Sequence, residues 1–220
     1  MNAPDPNAPD PVESITDGSI EDFLDRLASK DPTPGGGGAA AIMGAMGAAL
    51  VSMVCNVSFG KKGYDSAEPE LREVCAQSEA LRKRLTGMVA EDIAAFDELM
   101  AAYKLPKDTE EQKAQRSQAI QASLKRATEV PLACARDCAE VVRLSQRAGE
   151  LGYLGVISDA GVGVSAAYAA ARSAALNVYI NAPSLKDRAF AERALAELDG
   201  IMTSCTAESE AVYALVRAKL

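Results

Sequence analysis

An aspartate stands where a core leucine would be expected. Along the segment that opens at Pro69, the heptad line Leu71, Ser78, Leu85, Asp92, Leu99 otherwise suits a buried helical seam. A carboxylate placed there loses solvation, which raises its pKa toward the range where it exchanges protons at neutral pH. Asp92 is therefore the first candidate for a general base. The plainer alternative is a carboxylate that pairs with a nearby arginine or caps a buried polar group.

Four consecutive glycines, Gly35, Gly36, Gly37 and Gly38, follow Asp31-Pro32-Thr33-Pro34. They permit close backbone approach, and a helix starting within them would present unpaired N–H groups to an anion or a carbonyl oxygen. They do not form a Walker loop, because alanines occupy the positions where Lys and Ser or Thr would be needed. Past the next apolar stretch, Lys61, Lys62 and Tyr64 could hold a carboxylate ligand, although lysines at a helix end also simply complement its dipole. Lys104 and Lys107 around Pro106 are equally ambiguous. Asp159 lies beside Ser158 at a predicted helix start, where capping is the common role. Asn177 and Asn181 lie one helical turn apart in an apolar run, and buried amides need partners, either another helix or a polar ligand. Cys134 and Cys138 share that spacing but lack further ligands, which points to core packing.

The elements that must position these groups all read as helices. Ser19 with Asp22 forms a capping signal before Ile20, Phe23, Leu24 and Leu27, and the prolines at 32 and 34 end that helix. From the glycines to Phe59 the chain carries no charge, proline or strand alternation and reads as one buried helix. Its Ala and Gly content, with few Leu, Ile or Phe, argues against a membrane span and for close helix approach. A third helix is predicted from Pro69 to Leu105. A fourth opens at the Thr109/Gln112 box and runs to Gly149, kinked or split at Pro131. A fifth runs from Ser158 to Asn181, and a last one starts at Ser184 with Asp187 as its capping partner. The fold class is all-α, a bundle of long helices with two nearly uncharged ones buried, which calls for a helix-mediated dimer or higher homo-oligomer.

With 220 residues, 48% of them hydrophobic and 25% charged, the composition is that of one globular domain, expected over residues 18–220. Residues 1–17 repeat NAPDP and read as a disordered Pro/Asp-rich tail without the features of a secretory signal. A net charge of −8 argues against sequence-independent nucleic-acid binding. The sequence holds no histidine, which removes a Ser-His-Asp triad, a Cys-His pair and histidine-ligated zinc. Five cysteines without metal-ligand spacing read as reduced thiols in a cytoplasmic protein.

Taken together, PTPGGGGAAA, GAALVSMV, GKKGY, EDIAAFDELMAAYKLPKDTEEQKAQR, VPL, SDAGVG and NVYIN resemble the cyclodeaminase and methenyltetrahydrofolate cyclohydrolase family in order and spacing, from about Ile20 to the end. The resemblance implies an all-helical, dimerising folate enzyme that needs no metal and no cofactor beyond its tetrahydrofolate substrate. It places the family's proposed active-site aspartate on Asp92, four residues before Phe96. Many members read PGGGS, and this chain has Gly38 in place of that serine.

The leading expectation is hydrolysis of 5,10-methenyltetrahydrofolate to 10-formyltetrahydrofolate. Asp92 would act as general base and proton shuttle, and Lys61 and Tyr64 would orient the adduct or the pterin. The glycines and Phe96 would contact the substrate, while Asp159 or Asn181 reads its polar edges. The alternative is a formiminotetrahydrofolate cyclodeaminase that releases ammonia. The hydrolase is preferred because the chain leaves no room for a formiminotransferase domain. A helical dimerisation module without catalysis is the competing reading from another class.

Overall fold

The computed structural model describes residues 18–220, so the expected N-terminal tail lies outside the described residues. Among the described residues there are six α-helices: α1 (Ile20–Leu27), α2 (Gly36–Ser58), α3 (Glu68–Lys104), α4 (Glu110–Leu151), α5 (Ile157–Asn181) and α6 (Arg188–Arg217). No strand occurs among the described residues. Local signals set most of the boundaries. Ser19 with Asp22, and Thr109 with Gln112, each close a reciprocal capping box. Pro69 lies in the first turn of α3, where its missing N–H costs nothing.

Two boundaries differ from the sequence expectation. Helix α4 runs unbroken through Pro131, which is itself buried among α4's core residues. Packing of that face outweighs the lost backbone bond at a proline, which costs on the order of 3 kcal/mol. The chain after Asn181 makes a short 3₁₀ turn through Ser184, and α6 starts only at Arg188. Asp187 is the N-cap itself, accepting from the Phe190 N–H, rather than a partner inside the first turn.

Helices α2 and α5 form the centre. α2 packs against α3, α4 and α5, and α5 also lies against α4 and α6. The two central helices run antiparallel, since Gly36 at the start of α2 is near Asn177 late in α5, and Gly47 meets Gly163 earlier in α5. A Cβ on Gly47 would come within 2.9 Å of the Gly163 carbonyl oxygen, so this crossing exists only because the residue is glycine. The Ser78 hydroxyl donates to the Ala48 carbonyl at 2.6 Å, fixing α3 against α2. Both α2 and the segment Leu154–Ser184 are long and apolar enough to cross a membrane. In α2, however, twelve residues, including Val51, Val54 and Cys55, are buried against neighbouring helices. Helix α1 is amphipathic but buries none of its residues, so the expected apolar face at Ile20 and Leu24 stays exposed.

Candidate functional site

A cavity of about 290 Å³ opens where the start of α2, the second half of α3 and the end of α5 converge. Gly35, Gly36 and Gly37 form one wall and Pro32 and Thr33 its rim. Asp92, Ala95, Phe96 and Leu99 come from α3, Ala127 from α4, and Asn177, Ile180 and Asn181 from α5. Heptad spacing carries Asp92 here. Leu85 and Leu99, one heptad before and after it, are buried, so the same face of α3 turns Asp92 inward where the glycines leave space.

Asp92 sits against the backbone of the first turn of α2. A Cβ on Gly37 would lie 2.0 Å from Asp92 Oδ1, so no other residue type leaves the carboxylate where it is. Gly35 caps α2 without a side-chain hydrogen bond, and this uncapped first turn, Gly35 to Gly37, lines the cavity. Burial pushes the Asp92 pKa above the ordinary carboxylate value, and the Gly38 backbone N–H only partly opposes that rise. A half-buried carboxylate of raised pKa next to unpaired N–H donors combines a proton acceptor with a site that stabilises a developing oxyanion.

The amides split their roles. Asn181 Nδ2 donates to the Ala127 carbonyl at 2.7 Å and ties α5 to α4, while Asn177 Nδ2 donates to Ser173 O at 3.1 Å within its own helix. The cations next to Ala127 are already engaged, Lys125 with Asp187 and Arg126 with Glu98. Among the described residues, no cationic side chain lines the cavity. Among the described residues, no three His, Cys, Asp or Glu side chains gather as a metal site.

The remaining expected site residues lie elsewhere. Gly38 faces Pro34 and Val89 rather than the cavity. Lys61 and Tyr64 follow the far end of α2, roughly 35 Å from the glycines at 1.5 Å per residue. There Gly60 (φ 67°) and Gly63 (φ 90°) make a turn that side-chain-bearing residues would resist. The Tyr64 hydroxyl accepts from the Leu154 N–H at 3.2 Å, and Lys61 Nζ stands 4.9 Å from the centre of the Tyr153 ring. Asp159 is in the first turn of α5, at this same end, where its charge suits the helix dipole. One chain therefore does not bring Lys61, Tyr64 or Asp159 to Asp92, because α2 separates them by its whole length. Asn177 also lines the cavity, although of the two amides only Asn181 is expected there from sequence. The signal was its position one turn before Asn181 in an otherwise apolar helix. Ala127 and Thr33 carried no such signal.

Fold and cavity together define a helical-bundle protein that holds one carboxylate against an uncapped helix start. The chain belongs to the formiminotransferase-cyclodeaminase family, whose model matches residues 19–200. It is 59% identical over 202 residues to a methenyltetrahydrofolate cyclohydrolase of Methylorubrum extorquens, covering 92% of this chain and 97% of that protein. It is 30% identical over 209 residues to the formimidoyltransferase-cyclodeaminase of Rattus norvegicus, spanning 95% of this chain but 39% of that longer protein. The crystal structure of formiminotetrahydrofolate cyclodeaminase from Thermotoga maritima superposes with a TM-score of 0.84 at 28% identity, covering 93% of this chain and 98% of that one.

Proposed function

We propose that this protein hydrolyses 5,10-methenyltetrahydrofolate to 10-formyltetrahydrofolate, with Asp92 as general base and proton shuttle. The observation that carries the reaction is the 59% identity, over nearly the full length of both chains, to a protein of that name. The position of Asp92 between α2's first turn and the cavity supports its role.

The methenyl carbon between N5 and N10 is cationic and electrophilic. Asp92 takes a proton as water adds to that carbon, giving a neutral hydroxyl adduct. Collapse forms the formyl C=O, breaks the C–N5 bond and leaves the carbon on N10. Asp92 passes its proton to N5, and the adduct's hydroxyl proton leaves to solvent, so one proton is released per turnover. The first-turn N–H groups of α2 face the oxygen as its charge develops. Phe96 and Leu99 offer apolar surface to the pterin, and Asn177 and Asn181 bracket its polar edge. These steps use water and the folate substrate alone.

A cyclodeaminase is the second reading, favoured by the Thermotoga maritima structure. In it N10 attacks the formimino carbon and ammonia departs through a similar tetrahedral centre, so one carboxylate serves either reaction. Incubation with each folate in turn separates them. Formation of 10-formyltetrahydrofolate without ammonia release supports the hydrolase, and ammonia release from formiminotetrahydrofolate as the faster reaction overturns it. The protein acts as a homodimer or higher homo-oligomer, and neither a membrane nor a nucleic acid is part of this reading. Its five cysteines, all free thiols, suit the reducing cytoplasm.

A further inference from the structure

Asn177 and Asn181 stand one helical turn apart on the wall that α5 gives the cavity, and both are half-buried. Each commits its amide nitrogen to a backbone carbonyl, Asn177 to Ser173 O at 3.1 Å and Asn181 to Ala127 O at 2.7 Å. A carbonyl oxygen only accepts, so neither amide turns over without losing its bond and setting two acceptors against each other. What each side chain keeps for a ligand is its Oδ1, with both lone pairs free among the described residues, and one remaining N–H.

The polar groups of the cavity therefore differ from wall to wall. The α5 wall offers two amide oxygens. The glycine wall offers backbone donors, because the Gly38 N–H is taken by Asp92 while Gly36 and Gly37 line the cavity in a turn without a side-chain cap. A tetrahydropterin is divided in the same way. It carries donors at N3–H and the 2-amino group, and an acceptor at its 4-oxo oxygen, which stands next to N5. Helical spacing puts the Cβ atoms of the two asparagines about 5–6 Å apart. Two acceptors that each take one hydrogen of a single amino group, at about 2.9 Å and trigonal angles, stand about 5 Å apart, so this pair is spaced to straddle the 2-amino group.

On the folate reading given above, we propose that Asn177 and Asn181 are specificity-determining residues whose Oδ1 atoms accept the two hydrogens of the pterin 2-amino group. That contact lays the 2-amino end of the bicycle against α5 and turns the 4-oxo oxygen and N5 toward the glycine wall, where Asp92 rests on Gly37. N5 and the carbon bonded to it then face the carboxylate that gives N5 its proton. The cavity's about 290 Å³ is at the small end for a drug-sized ligand, so it takes the bicycle and the reacting carbon and leaves the rest of the folate outside. A pterin with an apolar group at this position leaves both oxygens facing it unpaired and is rejected for that reason.

One change in the protein and one in the substrate test this together. The probe is 5,10-methenyltetrahydrofolate with a methyl group in place of the 2-amino group, compared with the parent compound by kcat/KM. Wild type is expected to prefer the parent about 100-fold, about tenfold for each hydrogen bond. Asn177→Leu loses only a bond within its own helix. It should lower kcat/KM for the parent about tenfold and leave that for the methyl compound within about twofold, so the preference falls to about tenfold. Asn181→Leu also removes the tie between α5 and α4, but a preference is a ratio and does not depend on the folded fraction. It too should fall to about tenfold. Equal losses on both substrates would mean that the amides act only through the fold, and would overturn the contact. A wild type that treats parent and methyl compound alike overturns it as well. Wild-type protein that leaves the parent folate unhydrolysed overturns the folate reading, and this inference with it.

Discussion

Asp92 Oδ1 occupies the space that a Cβ on Gly37 would fill, with 2.0 Å between the two positions. The glycine run is thus a requirement of the carboxylate as much as of any ligand. Gly37→Ala should gain up to about 1 kcal/mol of helix propensity but lose about 1–3 kcal/mol to overpacking, so the variant is less stable overall. Displacing the carboxylate by an ångström should cost about 100-fold in kcat. In a thermal-unfolding cycle, Asp92→Ala combined with Gly37→Ala should restore most of the stability lost by Gly37→Ala alone. Additive losses would show that the two positions do not compete.

The raised pKa of Asp92 has a defined effect on stability. Between the ordinary carboxylate value of 3.8 and its raised folded value, the native state binds more protons than the unfolded one. Native stability therefore falls as pH rises through that window, and the loss is complete above it. Asp92→Asn removes the charge, so the variant should unfold at the same temperature as wild type or higher at neutral pH, with the difference shrinking toward pH 4. Turnover should move the other way, declining as pH falls and Asp92 becomes protonated. Unfolding scans and a kcat–pH profile check both.

Arg84 reaches Asp137 with two guanidinium hydrogen bonds across the α3–α4 contact, and Asp137 is only 8% exposed. Arg84→Ala leaves that carboxylate buried without its partner, at a cost of about 2 kcal/mol after allowing for the partly exposed arginine. For a chain of this size that is a drop of about 4–8 °C in Tm with kcat unchanged, since the pair lies outside the cavity.

Gly38 is different from Gly37. An added Cβ there meets Pro34 and Val89 at ordinary contact distances of 3.5 and 3.6 Å. Gly38→Ser, which restores the PGGGS pattern of the resembling family, should fold with Tm within about 2 °C of wild type, a surface-sized change. Ammonia release from formiminotetrahydrofolate by this variant, compared with wild type, measures whether that hydroxyl matters to deaminase chemistry.

The helices were legible because their ends carry local chemistry: Ser19/Asp22, Thr109/Gln112 and Pro69 act within one turn. Of the two outcomes expected at Pro131, the split does not occur, because tertiary burial of its face holds the helix together, and the start of α6 shifted because Asp187 caps directly. Asp92 was legible from periodicity alone, as a charge in a line of core positions. Lys61 and Tyr64 were grouped with it by motif order along the chain, which carries no distance. Twenty-three helical residues of α2 turn that order into separation at opposite poles. The low charge of α2 and α5 was legible as a need for cover, and the two form the centre of the bundle.

The most direct test of Asp92 as the base of a folate hydrolase is the loss of 5,10-methenyltetrahydrofolate near-UV absorbance, followed with wild type and Asp92→Asn above the spontaneous rate. The account predicts rapid decay with wild type and a rate about 10²- to 10⁴-fold lower with a folded Asp92→Asn. Equal decay with both proteins, or none above background with wild type, would contradict it.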